Sequence, residues 1–210
     1  MDVNQFKQLP IIGILRGVEA DMIEPLTETV ISSGLQTMEI AMNTSGASGL
    51  IRRMIKKAQN RLTIGAGTVL TMDDLHSALD AGATFIVLPT LVPDVVEYCV
   101  ENEIPVFPGA LTPQEIYNAW CTGATMVKVF PAKFFGPAYL KEVRGPFQDV
   151  ELLACGGVNR DNIQSFFSCG ASAVAFGESI FQREWLVARE FARIGELVKA
   201  LIAELTIPGT

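Results

Sequence analysis

The feature that most constrains this chain is a repeated unit: a helix-like stretch, a small or polar residue, a glycine, then an apolar strand-like run. The junctions are Ser33-Gly34, Ala81-Gly82, Thr122-Gly123 and Cys169-Gly170. Glycine just past a helix takes the left-handed backbone conformation that other residues resist, so it stops the helix cleanly. Strand-like runs recur roughly two dozen residues apart, at 11–16, 37–43, 63–69, 85–89, 106–110, 126–131, 151–157 and 173–177. That spacing suits one β-α unit with short loops. Thr112-Pro113-Gln114-Glu115 has a cap residue, proline in the first turn and glutamate at the third helical position. Thr71 and the run Asn159-Arg160-Asp161-Asn162 read as weaker starts of the same kind. A final helix over about 184–205 puts Phe191, Ile194, Leu197, Val198, Leu201, Ile202 and Leu205 on one stripe.

Eight alternating units favour a (β/α)8 TIM barrel formed as one domain over residues 1–210, with a short N-terminal extension and a C-terminal helix. The structural alternative is an open doubly wound sheet. Its nucleotide-binding form is disfavoured, because Gly65-Ala66-Gly67 lacks a third glycine at the required place.

Composition narrows the chemistry. Of 210 residues 49% are hydrophobic and 19% charged, enough for a sizeable core and against disorder. A net charge of −7 argues against nucleic acid as the partner. The N-terminus lacks the apolar centre of a signal peptide, and no apolar run is long enough to span a bilayer, so no membrane partner is expected. Four scattered cysteines, with no C-x-x-C pair, suggest reduced thiols in a cytoplasmic protein rather than a zinc site or a disulfide framework. The one histidine, His76, falls on a surface helix without a partner motif. Neither a histidine-built metal site nor a Ser-His-Asp triad is available, so acid–base work falls to carboxylates, lysine or tyrosine.

Lys128 stands out within that frame. It interrupts the apolar run Thr125-Met126-Val127-Lys128-Val129-Phe130-Pro131. Burial disfavours the ammonium form of lysine, and a neutral amine attacks carbonyl carbon. The plainer reading is a strand-end lysine whose head reaches solvent. Strand alternation sends Met38, Ile40 and Met42 towards the helices and Glu39, Ala41 and Asn43 inward. Met126, Lys128 and Phe130 share one face. If that face is the interior, the barrel holds a lysine and a glutamate on facing staves, either as a structural ion pair or as nucleophile and proton shuttle. Glycines at Gly156-Gly157 and Gly177 end the last two strands, where barrels often bind phosphate, although such glycines also serve tight turns.

Six segments, in order, resemble the class I 2-keto-3-deoxy-6-phosphogluconate (KDPG) and KHG aldolase family, including its 6-phosphogalactonate branch. They are Gly13-Ile14-Leu15-Arg16-Gly17, Met38-Glu39-Ile40, Gly65-Ala66-Gly67-Thr68-Val69, Pro105-Val106-Phe107-Pro108-Gly109, Val127-Lys128-Val129-Phe130-Pro131-Ala132 and Gly156-Gly157-Val158. The resemblance implies a homotrimeric barrel that cleaves a 2-keto-3-deoxy sugar acid to pyruvate and an aldehyde. It implies Lys128 as the Schiff-base lysine and Glu39 as the general acid/base. Thr68 and Arg16 would line the pyruvyl end, and Gly156, Gly157, Gly177 and Ser179 would hold a distal phosphate. Phe130 and Pro89 would form an apolar wall beside the lysine. No cofactor and no metal are expected, since the imine itself is the electron sink. Three positions depart from the gluconate pattern. Asn43 replaces an arginine near the substrate carboxylate, as in the galactonate branch. Cys155 replaces a threonine before the glycine pair, and Glu178 replaces a small residue in the phosphate loop. Cleavage of an unphosphorylated 4-hydroxy-2-oxoglutarate-like acid is the rival within aldolases. A phosphate-binding barrel isomerase or epimerase is the rival outside them.

Overall fold

A computed structural model describes residues 1–205; the end of the expected domain, residues 206–210, lies outside the described residues. The strands are β1 (Ile11–Leu15), β2 (Thr37–Ala41), β3 (Thr63–Gly67), β4 (Ile86–Val87), β5 (Val106–Phe107), β6 (Gly109–Ala110), β7 (Val127–Val129), β8 (Leu152–Cys155) and β9 (Ala173–Phe176). All neighbours are parallel, in the order β5-β4-β3-β2-β1-β9-β8-β7-β6. The two ends of that order, β5 and β6, are halves of one stave. Pro108 separates them because it has no N–H to give to a ladder. The lower half pairs with β4 and the upper half with β7, which closes the ring into eight staves. The open-sheet alternative is thereby excluded. Each observed strand falls inside its expected run, and the C-terminal residues of those runs form the loops above the barrel.

The helices are α1 (Val3–Phe6), α2 (Ile23–Ser32), α3 (Ala47–Ala58), α4 (Met72–Asp80), α5 (Pro93–Glu101), α6 (Pro113–Cys121), α7 (Gly136–Arg144), α8 (Ile163–Ser168), α9 (Arg183–Val187) and α10 (Phe191–Ala203). The four expected helix-stop glycines all have left-handed φ, from +88° to +97°. Thr112 and Glu115 form a reciprocal capping box at α6, and Thr71 caps α4. Asn159 behaves differently. Its side chain accepts from the amides of Asp161 and Asn162 in a turn, and α8 begins only at Ile163. The final helix is also interrupted. Arg189 takes φ +56°, and the Glu190 amide donates back to the Trp185 carbonyl, ending α9 before α10 starts. The apolar stripe survives in α10, where Ile194, Val198 and Leu201 are fully buried.

Two packed layers follow from strand alternation. The outer layer, between staves and helices, holds Met38, Ile40, Val127 and Val129. The inner layer holds Ile12, Phe85, Val87, Phe107, Met126 and Leu153. Phe6, carried by α1, fills the N-terminal mouth of the barrel against Phe107, with ring centroids 6.1 Å apart. Asp2 caps that short helix through the amides of Asn4 and Gln5. The closed floor leaves the C-terminal end as the open face. Among the described residues, no helix is long and apolar enough to cross a membrane.

Candidate active site

Lys128 lies on β7, the sixth stave, and Glu39 on β2, the second. Four staves apart in a ring of eight, they face each other across the barrel. Both are buried, at 5% and 1% exposure. The amine is therefore neither outside the wall nor bathed in water. Local hydrogen bonding fixes the lysine backbone. Its amide donates to the Pro108 carbonyl at 2.8 Å, and the interruption of the fifth stave is what presents that carbonyl. Its Nζ lies 5.2 Å from the centroid of the Phe130 ring, two residues along the same face.

Glu39 is held by the absence of side chains opposite it. A Cβ on Gly67 would fall 2.2 Å from Glu39 Oε1, so this glycine is the slot in which the carboxylate lies. One inward position lower, a Cβ on Gly65 would fall 2.6 Å from the Phe85 ring. The inner face of β3 is bare so that a ring and a carboxyl group can use the space. Glu39 Oε2 is buried without a hydrogen-bond partner. Burial pushes the Glu39 carboxyl group above the usual carboxylate range, and the positive charges of Lys128 and Arg16 oppose that shift only in part. An unpartnered buried oxygen of this kind is costly unless it serves a ligand or a proton.

A cleft of about 1010 Å³ opens at the C-terminal end of the barrel. Arg16, Phe130, Cys155, Gly156, Gly157, Gly177 and Ser179 line it, together with Glu178, Lys133 and Arg183. Arg16 donates to Thr68 Oγ1 at 3.0 Å, joining the ends of the first and third staves. Thr68 carries a left-handed φ of +56°, rare for a branched residue, so its hydroxyl is held where it is at a conformational cost. Pro89 ends the fourth stave, where its carbonyl would lie 2.2 Å from a Cβ on Gly109. Asn43 is exposed in the turn after β2 and, like Glu39, Thr68, Pro89 and Lys128, is not among the residues lining the cleft itself.

Two features escaped the sequence reading. In sequence Gly65 and Gly67 read as an incomplete nucleotide motif and as part of a resemblance, although an inward-facing small-x-small pattern on a barrel strand signals space left for neighbours. Cys155 is more than a departure from a pattern. Its buried thiol lies close enough to Lys128, Glu39 and Arg16 to feel all three charges, while burial pushes its pKa up and keeps it protonated.

Residues 3–197 match the family model described as KDPG and KHG aldolase. The 2-dehydro-3-deoxy-phosphogluconate aldolase of Pseudomonas aeruginosa is 35% identical over 161 residues, covering 76% of this chain and 71% of the relative. The 2-dehydro-3-deoxy-6-phosphogalactonate aldolase of Escherichia coli K12 is 29% identical over 194 residues, covering 92% and 95%. The solved KDPG aldolase from Legionella pneumophila, with pyruvate captured as a covalent carbinolamine intermediate, superposes with a TM-score of 0.85 at 27% identity, covering 91% of this chain and 93% of that one. A family match over nearly the whole length, on a barrel with a buried lysine and a facing glutamate, settles the assignment: the chain belongs to the KDPG and KHG aldolase family.

Proposed function

We propose that this chain is a class I, pyruvate-forming aldolase that cleaves a 2-keto-3-deoxy sugar acid through an imine on Lys128. One observation carries the reading. Two ionisable side chains are buried on opposite inner walls of a barrel, and the carboxylate oxygen Oε2 of Glu39 is unpartnered. A purely structural ion pair would have closed that gap, since an uncompensated buried charge is destabilising.

The reaction begins when the neutral amine of Lys128 adds to the C2 ketone of the substrate. Loss of water from the carbinolamine gives a protonated imine. That cation accepts the electron pair of the C3–C4 bond as the bond breaks. The proton of the C4 hydroxyl must leave in the same step, and ionised Glu39 takes it, directly or through one water. The aldehyde departs. Protonated Glu39 then returns a proton to C3 of the enamine, and hydrolysis releases pyruvate and regenerates the amine. The raised carboxyl pKa suits this alternation between base and acid. Arg16 and Thr68 fix the substrate carboxylate at the pyruvyl end. Phe130 and Pro89 form the apolar wall beside Lys128. The reading calls for no metal or cofactor.

Gly156, Gly157, Gly177 and Ser179, which line the cleft, would hold the distal phosphate of a 6-phosphogluconate-type or 6-phosphogalactonate-type substrate. One observation favours the unphosphorylated rival: Glu178 lines the same end of the cleft. A homotrimer follows from the resemblance, and the exposed ring of Phe135 is a surface that such an assembly would cover. Four free thiols accord with a cytoplasmic location.

The test is reduction with borohydride in the presence of pyruvate, followed by peptide mass mapping. One reductively attached pyruvate on Lys128 is expected, and none in Lys128→Met. Attachment elsewhere, or failure of wild type to trap pyruvate, would favour a barrel isomerase instead.

A further inference from the structure

The far end of the cleft is built from three loops: the turn after β8 (Gly156, Gly157), the turn after β9 (Gly177 to Phe181) and the start of α9. Barrels that bind phosphate here use free amides and the N-terminus of a following helix. In this chain several donors around that end are committed within the loops. The amides of Ile180 and Phe181 both donate to the Gly177 carbonyl, at 3.0 and 2.8 Å. The amides of Asn159, Asp161 and Asn162 donate to the side-chain oxygens of Asn159 and Asn162. Ser179 Oγ donates to the Val158 carbonyl at 2.7 Å, which turns only lone pairs towards the cleft. The helices that follow are short, six residues for α8 and five for α9, and neither has a side-chain cap at its start. Lys133 and Arg183 supply positive charge at the margin, but Glu178 and Glu19 line the same cleft. Lys133 is turned over the Phe134 ring, with Nζ 5.2 Å from its centroid.

We propose that Glu178 is a specificity-determining residue that selects an uncharged, hydroxyl-terminated aldehyde fragment and disfavours a phosphate at this end. The inference rests on the aldolase reading above and deepens it. A carboxylate accepts two hydrogen bonds from neighbouring hydroxyl groups, as at the end of an unphosphorylated sugar acid. The Ser179 oxygen, with its proton committed elsewhere, accepts a third. A phosphate dianion has no proton to give and meets like charge. For charges several ångströms apart in a water-filled cleft the repulsion amounts to about tenfold in binding.

The experiment compares kcat/KM for 2-keto-3-deoxy-6-phosphogluconate and for 2-keto-3-deoxygluconate, in wild type, Glu178→Gly and Glu178→Gln. In wild type the unphosphorylated acid is turned over at least as efficiently as the phosphorylated one. Each substitution shifts the ratio about tenfold towards the phosphorylated acid, mostly through KM, and added salt shrinks the shift. A ratio that stays within twofold of wild type in both variants, or a strong wild-type preference for the phosphorylated acid, overturns the proposal. Pyruvate trapping is measured in the same preparations. Its loss in wild type would refute the aldolase reading itself, a result distinct from an unchanged substrate ratio.

Discussion

Gly67→Ala tests how the carboxylate is held. Gly67 has an ordinary φ, so alanine brings no backbone strain at this position. The whole perturbation is one methyl group, placed 2.2 Å from Glu39 Oε1 and 2.6 Å from its Cδ. Carbon and oxygen at rest keep about 3.3 Å, so the carboxylate must retreat by about 1 Å. Displacement on that scale costs about 100-fold in rate when the group transfers a proton, equivalent to about 2.7 kcal/mol of barrier. The assay is continuous detection of released pyruvate, with borohydride trapping and thermal unfolding run in parallel. We expect kcat to fall about 100-fold while the Lys128 imine still forms, because the amine lies on the opposite wall. Glu39→Asp added to Gly67→Ala shortens the side chain by one methylene and should recover part of the loss, giving a strong non-additive coupling. A kcat within threefold of wild type in a folded Gly67→Ala protein would refute the idea that this slot positions the base.

Two further outcomes follow from burial. Glu39 has a carboxyl pKa raised above its ordinary 4.5. Between 4.5 and that raised value the folded chain binds more protons than the unfolded one, so stability is greatest below the window and falls as pH rises through it. Glu39→Gln should therefore weaken this dependence in thermal melts from pH 4 upward and remove the acid limb of the kcat/KM profile; an unchanged limb would assign it to another group. Phe6→Ala removes the plug at the barrel floor, where Phe6 is 4% exposed and packs on Phe107. It should cost about 3–5 kcal/mol in urea denaturation, and a loss under 1 kcal/mol would show that α1 contributes little to closure.

The barrel was legible because its periodic parts obey local rules. Gly34, Gly82, Gly123 and Gly170 end helices with a backbone conformation that sequence announces, and Lys128 and Glu39 face inward because strand alternation has only two phases. What stayed hidden depends on contacts between distant segments. The break at Pro108 emerges only when one stave must pair with β4 below and β7 above. The end of α9 at Arg189 has no glycine to mark it, and Arg189 forms an ion pair with Asp21 from the loop after β1. The vacancy over Gly67 acquires meaning only once Glu39 is placed against it, because a missing side chain carries no periodic signal. Asn43 reads as inward by alternation, but the ladder ends at Ala41 and the turn carries Asn43 to the surface.

The most direct measurement is exchange of the pyruvate methyl protons in deuterated water, followed by proton NMR. It needs no knowledge of the natural aldehyde, and it requires both the imine and the base. Wild type should show steady exchange, Lys128→Met none above background, and Glu39→Gln exchange slowed by about two orders of magnitude while borohydride still traps the imine. Undiminished exchange in either variant would contradict the paired action of the buried amine and the facing carboxylate.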